Sequence, residues 1–358
     1  MRVVIVGATG NAGTALLRRL RPEVDVDIVG VARRLPPPEA PYDRAAWVSC
    51  DIGAPGAAGT LAGIFAGADA VVHLAWQIQP SHDGRRLYRT NVLGSWAVAD
   101  AVVRTGVPTL VYASSIGVYA PGPKNAFVRE NWPATGVIES SYSRHKVLVE
   151  AMLERIAADH PTLRVVRLRP GLIFQRDVGT EIGRYFAGPL LPAQLLSYGR
   201  IPVVPSHPRL RMQAVHADDV ADAYARALRS DVRGPFNVAA GPVLDPRVVA
   251  AAFHGRELSV PAFLLRGGAG LSWRLRLQPV DSGWIQLALK APLMSCDRIA
   301  AELDWRPLVD AVSSLKEMIA GLAGRASTAS PPLSADPALP GRLGGVFRGR
   351  LPGSGDPY

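Results

Sequence analysis

Tyr142 and Lys146 stand four positions apart in Tyr-Ser-Arg-His-Lys, at the head of a stretch, 143–158, whose apolar spacing predicts a helix. Side chains four positions apart on a helix leave from one face. A phenol with an ordinary pKa of about 10 is a poor base near neutrality, and an ammonium beside it favours the ionised form. The pair is therefore suited to moving a proton onto or off an oxygen. Ser114 and Ser115 close the run Val-Tyr-Ala-Ser-Ser. A hydroxyl there can hold the same oxygen, although a serine at a strand end also serves simply as a turn residue. The third chemistry-bearing group is Gly7, Gly10 and Gly13, which follow the apolar run 3–6 and precede the helically spaced Leu16, Leu17 and Leu20. Strand, glycine turn and helix in this order suit a dinucleotide. Gly7 permits the turn, Gly10 lets backbone approach a pyrophosphate, and Gly13 lets helix and strand pack closely. Thr9, Asn11 and Ala12 complete the turn, and the phosphates would meet the free N–H groups at the helix start.

These residues need a frame, and the sequence supplies one. Apolar runs recur at 26–32, 45–50, 70–75, 109–114 and 164–168, with helical stretches between most of them. That alternation predicts an α/β fold, a doubly wound parallel sheet of the Rossmann kind, with ligands at the carboxyl ends of the strands. Beyond Gly171 the rhythm is broken by Pro189, Pro192, Pro202, Pro205 and Pro208, then returns over 213–229 with a strand ending near His216 and a helix from Asp218. The expected organisation is a dinucleotide-binding domain over 1–240, to which 173–211 adds part of a substrate lobe, and a smaller C-terminal substrate lobe over 241–324. Residues 325–358, rich in Pro, Gly, Ser and Arg without apolar periodicity, read as a disordered tail.

The 358 residues are 48% hydrophobic and 20% charged, with a formal net charge of +10. The excess is arginine dispersed along the chain, not massed in a stripe, so nucleic-acid binding is not expected. A mildly positive field suits ligands carrying phosphate. Cys50 and Cys296 have no partner spacing, and the seven histidines have no ligand spacing, so neither a disulfide framework nor a metal site is expected. No apolar run reaches the roughly 18 residues of a membrane span, and the first strand begins the chain, so a cytoplasmic location is expected. Other polar residues read as structural. Asp218 and Asp219 suit a helix N-terminus. Glu150, one turn past Lys146, suits an ion pair with it. His145 lies about 100° round the helix from Lys146, and His216 reads as packed or hydrogen-bonded.

With these motifs in place, the chain resembles the extended short-chain dehydrogenase/reductase superfamily, in its NAD-dependent epimerase/dehydratase group, closely over 1–245 and loosely beyond. The resemblance implies that Tyr142 is the catalytic acid/base, that Lys146 lowers its pKa and holds the nicotinamide ribose, and that Ser115 orients the substrate with Ser114 as its neighbour. It implies that Asn91, in Asn-Val-x-Gly, supports the catalytic helix and its water. It also implies cofactor contacts from Asp51 and Ile52 at the adenine, from Leu74 and Ala75 in the turn after His73, and from Pro170. Two departures from the pattern are informative. NAD-using members carry an acid at the end of the second strand, where this chain has Ala32 followed by Arg33 and Arg34. An arginine pairs with a 2′-phosphate, so NADP is favoured and NAD remains possible. Nucleotide-sugar epimerases carry an asparagine where this chain has Pro170-Gly171.

The expected activity is that of an NAD(P)-dependent oxidoreductase acting on a small-molecule substrate, with hydride transfer at a carbonyl or hydroxyl carbon. The alternatives are a nucleotide-sugar epimerase or dehydratase with tightly bound NAD, and a non-catalytic dinucleotide sensor. Trp76, Gln77 and Tyr185 are candidates for pocket walls. Helices over 91–104 and 139–158 carry more apolar residues than one buried face needs. In the group the chain resembles, these helices form a dimer interface, and a homodimer is expected.

Overall fold

A computed structural model describes residues 1–78, 83–179, 181, 199–264, 267 and 282–334. Among the described residues, seven strands form the main sheet: β1 (Arg2–Val6), β2 (Asp27–Ala32), β3 (Ala46–Ser49), β4 (Ala70–His73), β5 (Thr109–Ala113), β6 (Arg164–Pro170) and β7 (Gly234–Val238). Their spatial order is β7-β6-β5-β4-β1-β2-β3, and every neighbouring pair is parallel. The order reverses between β1 and β4, which opens a crevice at their carboxyl ends. The expected runs match β1 to β6 closely. β7 was not among them, because Gly-Pro-Phe-Asn-Val opens on two poor strand residues, which are tolerated here at the sheet edge.

Side chains alternate across the sheet, as strand geometry requires. Val3 and Ile5 pack on one face with α1 (Asn11–Leu20) and with Val220, Ala223 and Tyr224 of the helix Ala217–Leu228. Val4 and Val6 pack on the other with α2 (Ala57–Phe65), α3 (Gly94–Thr105) and α4 (Ser141–Asp159). Ala217–Leu228 is α5. The sheet is thus covered on both sides, and only strand ends are left to build a site.

The smaller lobe is built on a three-stranded sheet of Leu172–Phe174, Met212–His216 and Ala240–Leu244. α7 (Ala311–Ala323) packs on this sheet, while α6 (Ser282–Lys290) packs against Val137 and Tyr142. Phe174, Ala214, Leu244 and Met318 form its core, and Leu333 joins them fully buried. That last contact corrects the expected tail. Residues 325–334 pack against the body: Ser330 Oγ donates to the Thr9 carbonyl, and Thr328 Oγ1 lies 3.2 Å from the Tyr42 hydroxyl. A composition average does not register one leucine that fits a core. The remainder of the expected tail, 335–358, lies outside the described residues, as does Tyr185.

Candidate active site

The glycine turn leaves β1 at Gly7, whose φ is +87°. A Cβ added at Gly7 would stand 2.5 Å from the Ala75 nitrogen, and one at Gly13 would stand 2.5 Å from the Gly7 carbonyl oxygen. Both glycines are demanded by packing. Gly10 differs, since its nearest neighbour would be the Gly7 oxygen at 3.5 Å. At α1 the backbone is therefore open outward, no side chain caps the helix start, and no acid stands in its first turn. Uncapped N–H groups at the positive end of a helix form an anion cradle, and the fit to a dinucleotide pyrophosphate is good. Asn11 does not face outward with its amide alone. Its Nδ2 donates to the Ile173 carbonyl (3.2 Å) and its Oδ1 accepts from Gln175 Nε2 (2.6 Å), which ties the turn to the smaller lobe.

Around the far end of the crevice, Ala32 is buried at the carboxyl end of β2 and Arg33 is exposed beside it, with no carboxylate partner among the described residues. Asp51 Oδ1 accepts from Gly53 N–H at 2.9 Å, a bond within its own loop, and Ile52 is buried. Leu74 and Ala75 follow β4, and Pro170 ends β6.

Ser115, Tyr142 and Lys146 come together where β5 ends against α4. Helix α4 is set by Ser140, whose Oγ accepts from Ser143 N–H at 3.3 Å, and by Ser143, whose Oγ donates to the Gly117 carbonyl. Tyr142 lies against Gly117, where a Cβ would approach its ring carbon to 2.9 Å. Ser115 Oγ accepts from Gly117 N–H at 3.0 Å, which sets its hydroxyl beside the same glycine that the Tyr142 ring covers. Burial pushes the Tyr142 phenol up to about 12, with the nearby Ser115 hydroxyl opposing the rise. With its phenol raised by desolvation, the resting Tyr142 carries its proton near neutrality. Lys146 is 2% exposed, and burial draws its amine well below the usual lysine range, partly offset by the Glu150 carboxylate. Its Nζ donates to the Ala113 carbonyl (2.6 Å) and the Tyr112 hydroxyl (3.4 Å), and lies 3.6 Å from the centre of the Trp76 indole. Trp284, from α6, stacks on Tyr142 with centroids 4.9 Å apart.

Asn91 is buried, but its amide is engaged with the backbone of Gln77: Oδ1 accepts from Gln77 N–H (2.8 Å) and Nδ2 donates to the Gln77 carbonyl (2.9 Å). Among the described residues these are its side-chain partners, so it anchors the segment after β4. Glu150 pairs with arginines of β6 instead of Lys146. It takes Arg169 Nε at 2.8 Å, Arg167 Nη1 at 3.4 Å and the Ser114 hydroxyl. Two arginines in a buried strand were the available signal, since buried charges require partners. His145 meets Tyr88 edge-on, and His216 Nδ1 accepts from Asp218 N–H at the start of α5.

A second cluster was not read from the sequence. Lys124 Nζ donates to the Arg211 carbonyl (2.9 Å) and to the Ala288 carbonyl of α6 (2.8 Å), while Arg211 Nη1 donates to the Lys124 carbonyl (2.6 Å). Arg209 is adjacent, bonded to the Leu289 carbonyl at 2.9 Å. Among the described residues none of the three cations has a carboxylate partner, and Arg211 Nε is buried without a hydrogen bond. Burial, with Arg209 and Arg211 nearby, lowers the Lys124 amine to about 7. The cluster meets α6 at Ala288 and Leu289, about one turn beyond Trp284, the residue of that helix that meets Tyr142. Among the described residues no group of three or more His, Cys, Asp or Glu could hold a metal ion, and no helix is long and apolar enough to cross a membrane.

A family model for the NAD dependent epimerase/dehydratase family matches residues 3–239. The chain belongs to this family. An uncharacterised Mycobacterium tuberculosis protein is 26% identical over 348 residues, 97% of this chain but 32% of that protein. The chain thus spans about a third of the length of such mycobacterial relatives. A UDP-glucose 4-epimerase of Azospirillum brasilense is 29% identical over 254 residues, covering 65% of this chain and 70% of the enzyme. The Bordetella bronchiseptica enzyme WbmG, solved with NAD and UDP, superposes with a TM-score of 0.66 at 19% identity, over 92% of this chain and 97% of the other. At that identity the likeness extends to the fold.

Proposed function

We propose that the protein is an NAD(P)-dependent enzyme that exchanges a hydride with a carbonyl or hydroxyl carbon of a small molecule, using Ser115, Tyr142 and Lys146. One observation carries the reading: Tyr142 stands against Gly117, whose N–H donates to Ser115 Oγ at the end of β5, one helical turn from Lys146 and in the same crevice as the uncapped start of α1. When bound, the cofactor would supply or accept the hydride. The rest is done by the chain. Tyr142, protonated at rest, donates its proton to the substrate oxygen as the carbonyl becomes an alcohol, and in reverse receives it. Ser115 holds that oxygen and the phenol together. The Lys146 ammonium holds a ribose hydroxyl and stabilises negative charge on Tyr142. Gly10 and the N–H groups of Asn11 and Ala12 would hold the pyrophosphate. Titration of purified protein with NADH and NADPH tests this directly. Gly10→Val, which fills the open backbone, is expected to abolish binding while leaving the fold intact. Tight nucleotide binding by that variant would refute the assignment.

The position beside Ala32 supports NADP over NAD, through an exposed Arg33 that no acid among the described residues engages. A homodimer is supported by Leu93, Trp96 and Leu148, 50%, 54% and 48% exposed at the start of α3 and on α4.

A second reading is favoured by the cluster of Lys124, Arg209 and Arg211. Three basic side chains without an acid among the described residues, against the helix that also carries Trp284 to Tyr142, suit a substrate carrying a diphosphate, as a nucleotide sugar does. In that case NAD would be kept through turnover and the reaction would be an epimerisation or dehydration. Retained cofactor in purified protein and the absence of net NADPH consumption distinguish it from a reductase.

A further inference from the structure

We infer that Trp76 is a gate over Lys146, closed in the resting protein and displaced when a dinucleotide ribose engages the ammonium; the inference rests on the cofactor reading above. An ammonium has three N–H donors. In Lys146 one goes to the Ala113 carbonyl, one to the Tyr112 hydroxyl, and the remaining side is covered by the Trp76 indole at 3.6 Å. A cation over an indole face is attracted to it, and more strongly where water is excluded. With Lys146 2% exposed, no hydroxyl reaches Nζ unless one of these neighbours moves.

The three walls are not equally free to move. Ala113 offers a main-chain carbonyl of β5. Tyr112 is 1% exposed in the middle of the sheet, with its ring 5.5 Å from that of His73. Trp76 lies beyond β4 in a segment without helix or strand, and it is partly exposed. Its indole Nε1 is buried without a hydrogen-bond partner, so rotation outward breaks no hydrogen bond and lets that N–H find one. The backbone next to it is pinned by the two bonds between Gln77 and Asn91, so the movement is a side-chain rotation and not a loop opening. The Trp76 ring also meets Tyr142 edge-on at 6.1 Å, so rotation uncovers one side of the proton donor as the cofactor arrives.

The experiment compares wild type, Trp76→Ala and Trp76→Phe in two measurements. Trace acetylation with acetic anhydride, followed by peptide mass spectrometry, reads the reactivity of Lys146 against Lys124, Lys290 and Lys316 without any nucleotide. Lys146 in Trp76→Ala is expected to react several-fold faster, with Trp76→Phe between, while the other three lysines are unchanged. An unchanged Lys146 rate overturns the gate. Titration with NADH and NADPH should give dissociation constants about tenfold lower for Trp76→Ala, the size of a cation–π contact that no longer has to be displaced. Weaker binding by Trp76→Ala also overturns the gate, because the indole would then be part of the nucleotide's own wall. If wild type and both variants all fail to bind nucleotide, the cofactor reading falls, and the acetylation rate alone still decides whether Trp76 closes over Lys146.

Discussion

Glu150 and Arg169 face each other across the contact between α4 and β6 in a two-bond pair, Nε to Oε1 at 2.8 Å and Nη2 to Oε2 at 2.5 Å, with side chains 3% and 4% exposed. Burial alone would raise the Glu150 carboxyl, but the Arg169 hydrogen bonds and charge, with Arg167 and Ser114, hold it below the usual range. This carboxylate also pins Ser114, the residue next to Ser115, and so joins the helix bearing Tyr142 to the strand ending at the serines.

Removing one partner of a buried pair leaves the other uncompensated, at about 3–5 kcal/mol. Glu150→Leu is therefore expected to lose about that much stability in urea unfolding, and Arg169→Met a similar amount. The double variant Glu150→Leu/Arg169→Met should be less destabilised than the sum of the two single changes. Additive losses would mean that the pair is not coupled.

The C-terminal segment offers a second stability test. Leu333 is fully buried among Phe174, Ala214 and Met318, and a Leu→Ala change in such a core costs about 2–5 kcal/mol. Leu333→Ala should lower the melting temperature, and ending the chain after Gly324 should lower it at least as far. A truncated protein that melts with wild type would show that the segment contributes nothing to the fold.

How the sequence carries this information differs between the two halves. Strands β1, β2, β4 and β5 were legible because a strand covered on both faces is apolar along most of its length, and the glycine triplet was legible because Gly7 and Gly13 leave no room for a Cβ. The smaller lobe follows no such rule. Its sheet joins Leu172–Phe174 to Met212–His216 and Ala240–Leu244, segments too short and too far apart for local periodicity to pair them. The candidate site divides in the same way. Tyr142 and Lys146 share a helix and declare themselves by spacing. Trp284 reaches Tyr142 from 142 positions along the chain, and Lys124 meets Arg211 from 87 away, contacts that only the fold creates.

Arg33 gives a prediction about cofactor choice. Wild type is expected to bind NADPH more tightly than NADH, and Arg33→Ala to remove most of the difference. A hydrogen bond to a charged group contributes about 1.5–3 kcal/mol, so the preference should fall by about tenfold or more. Titration of both nucleotides against both proteins decides it, and a clear preference of wild type for NADH would refute the assignment.

Lys124 gives a pH dependence. Its folded-state pKa, about 7, lies below the value of an unfolded lysine, so the folded protein carries the ammonium only as pH falls toward and below neutrality. A nucleoside diphosphate bound at Lys124, Arg209 and Arg211 should therefore weaken as pH rises from about 7, after allowance for the upward shift that a bound anion imposes. Lys124→Met should bind more weakly at pH 6 and lose the pH dependence. A diphosphate affinity that stays flat in wild type across this range would show that Lys124 does not contact it.

Tyr142 carries the chemical claim. Tyr142→Phe keeps the ring against Trp284 and removes only the oxygen, so fold and nucleotide affinity should persist. Turnover of a substrate, identified among small molecules released from the purified protein, should fall by the roughly 10²–10⁴-fold that positioned proton transfer supplies. Lys146→Met should match that loss and weaken nucleotide binding as well, because its ammonium is assigned to the ribose. Ser115→Ala should do less damage where Tyr142 alone still meets the oxygen. The raised phenol adds a direction. A group pushed up to about 12 is protonated at neutral pH, so reduction should be nearly flat across about pH 6–9 while oxidation, which needs the phenolate, should rise with pH. Near-wild-type turnover by Tyr142→Phe in either direction would remove Tyr142 from the chemistry and leave the crevice as a dinucleotide-binding site alone.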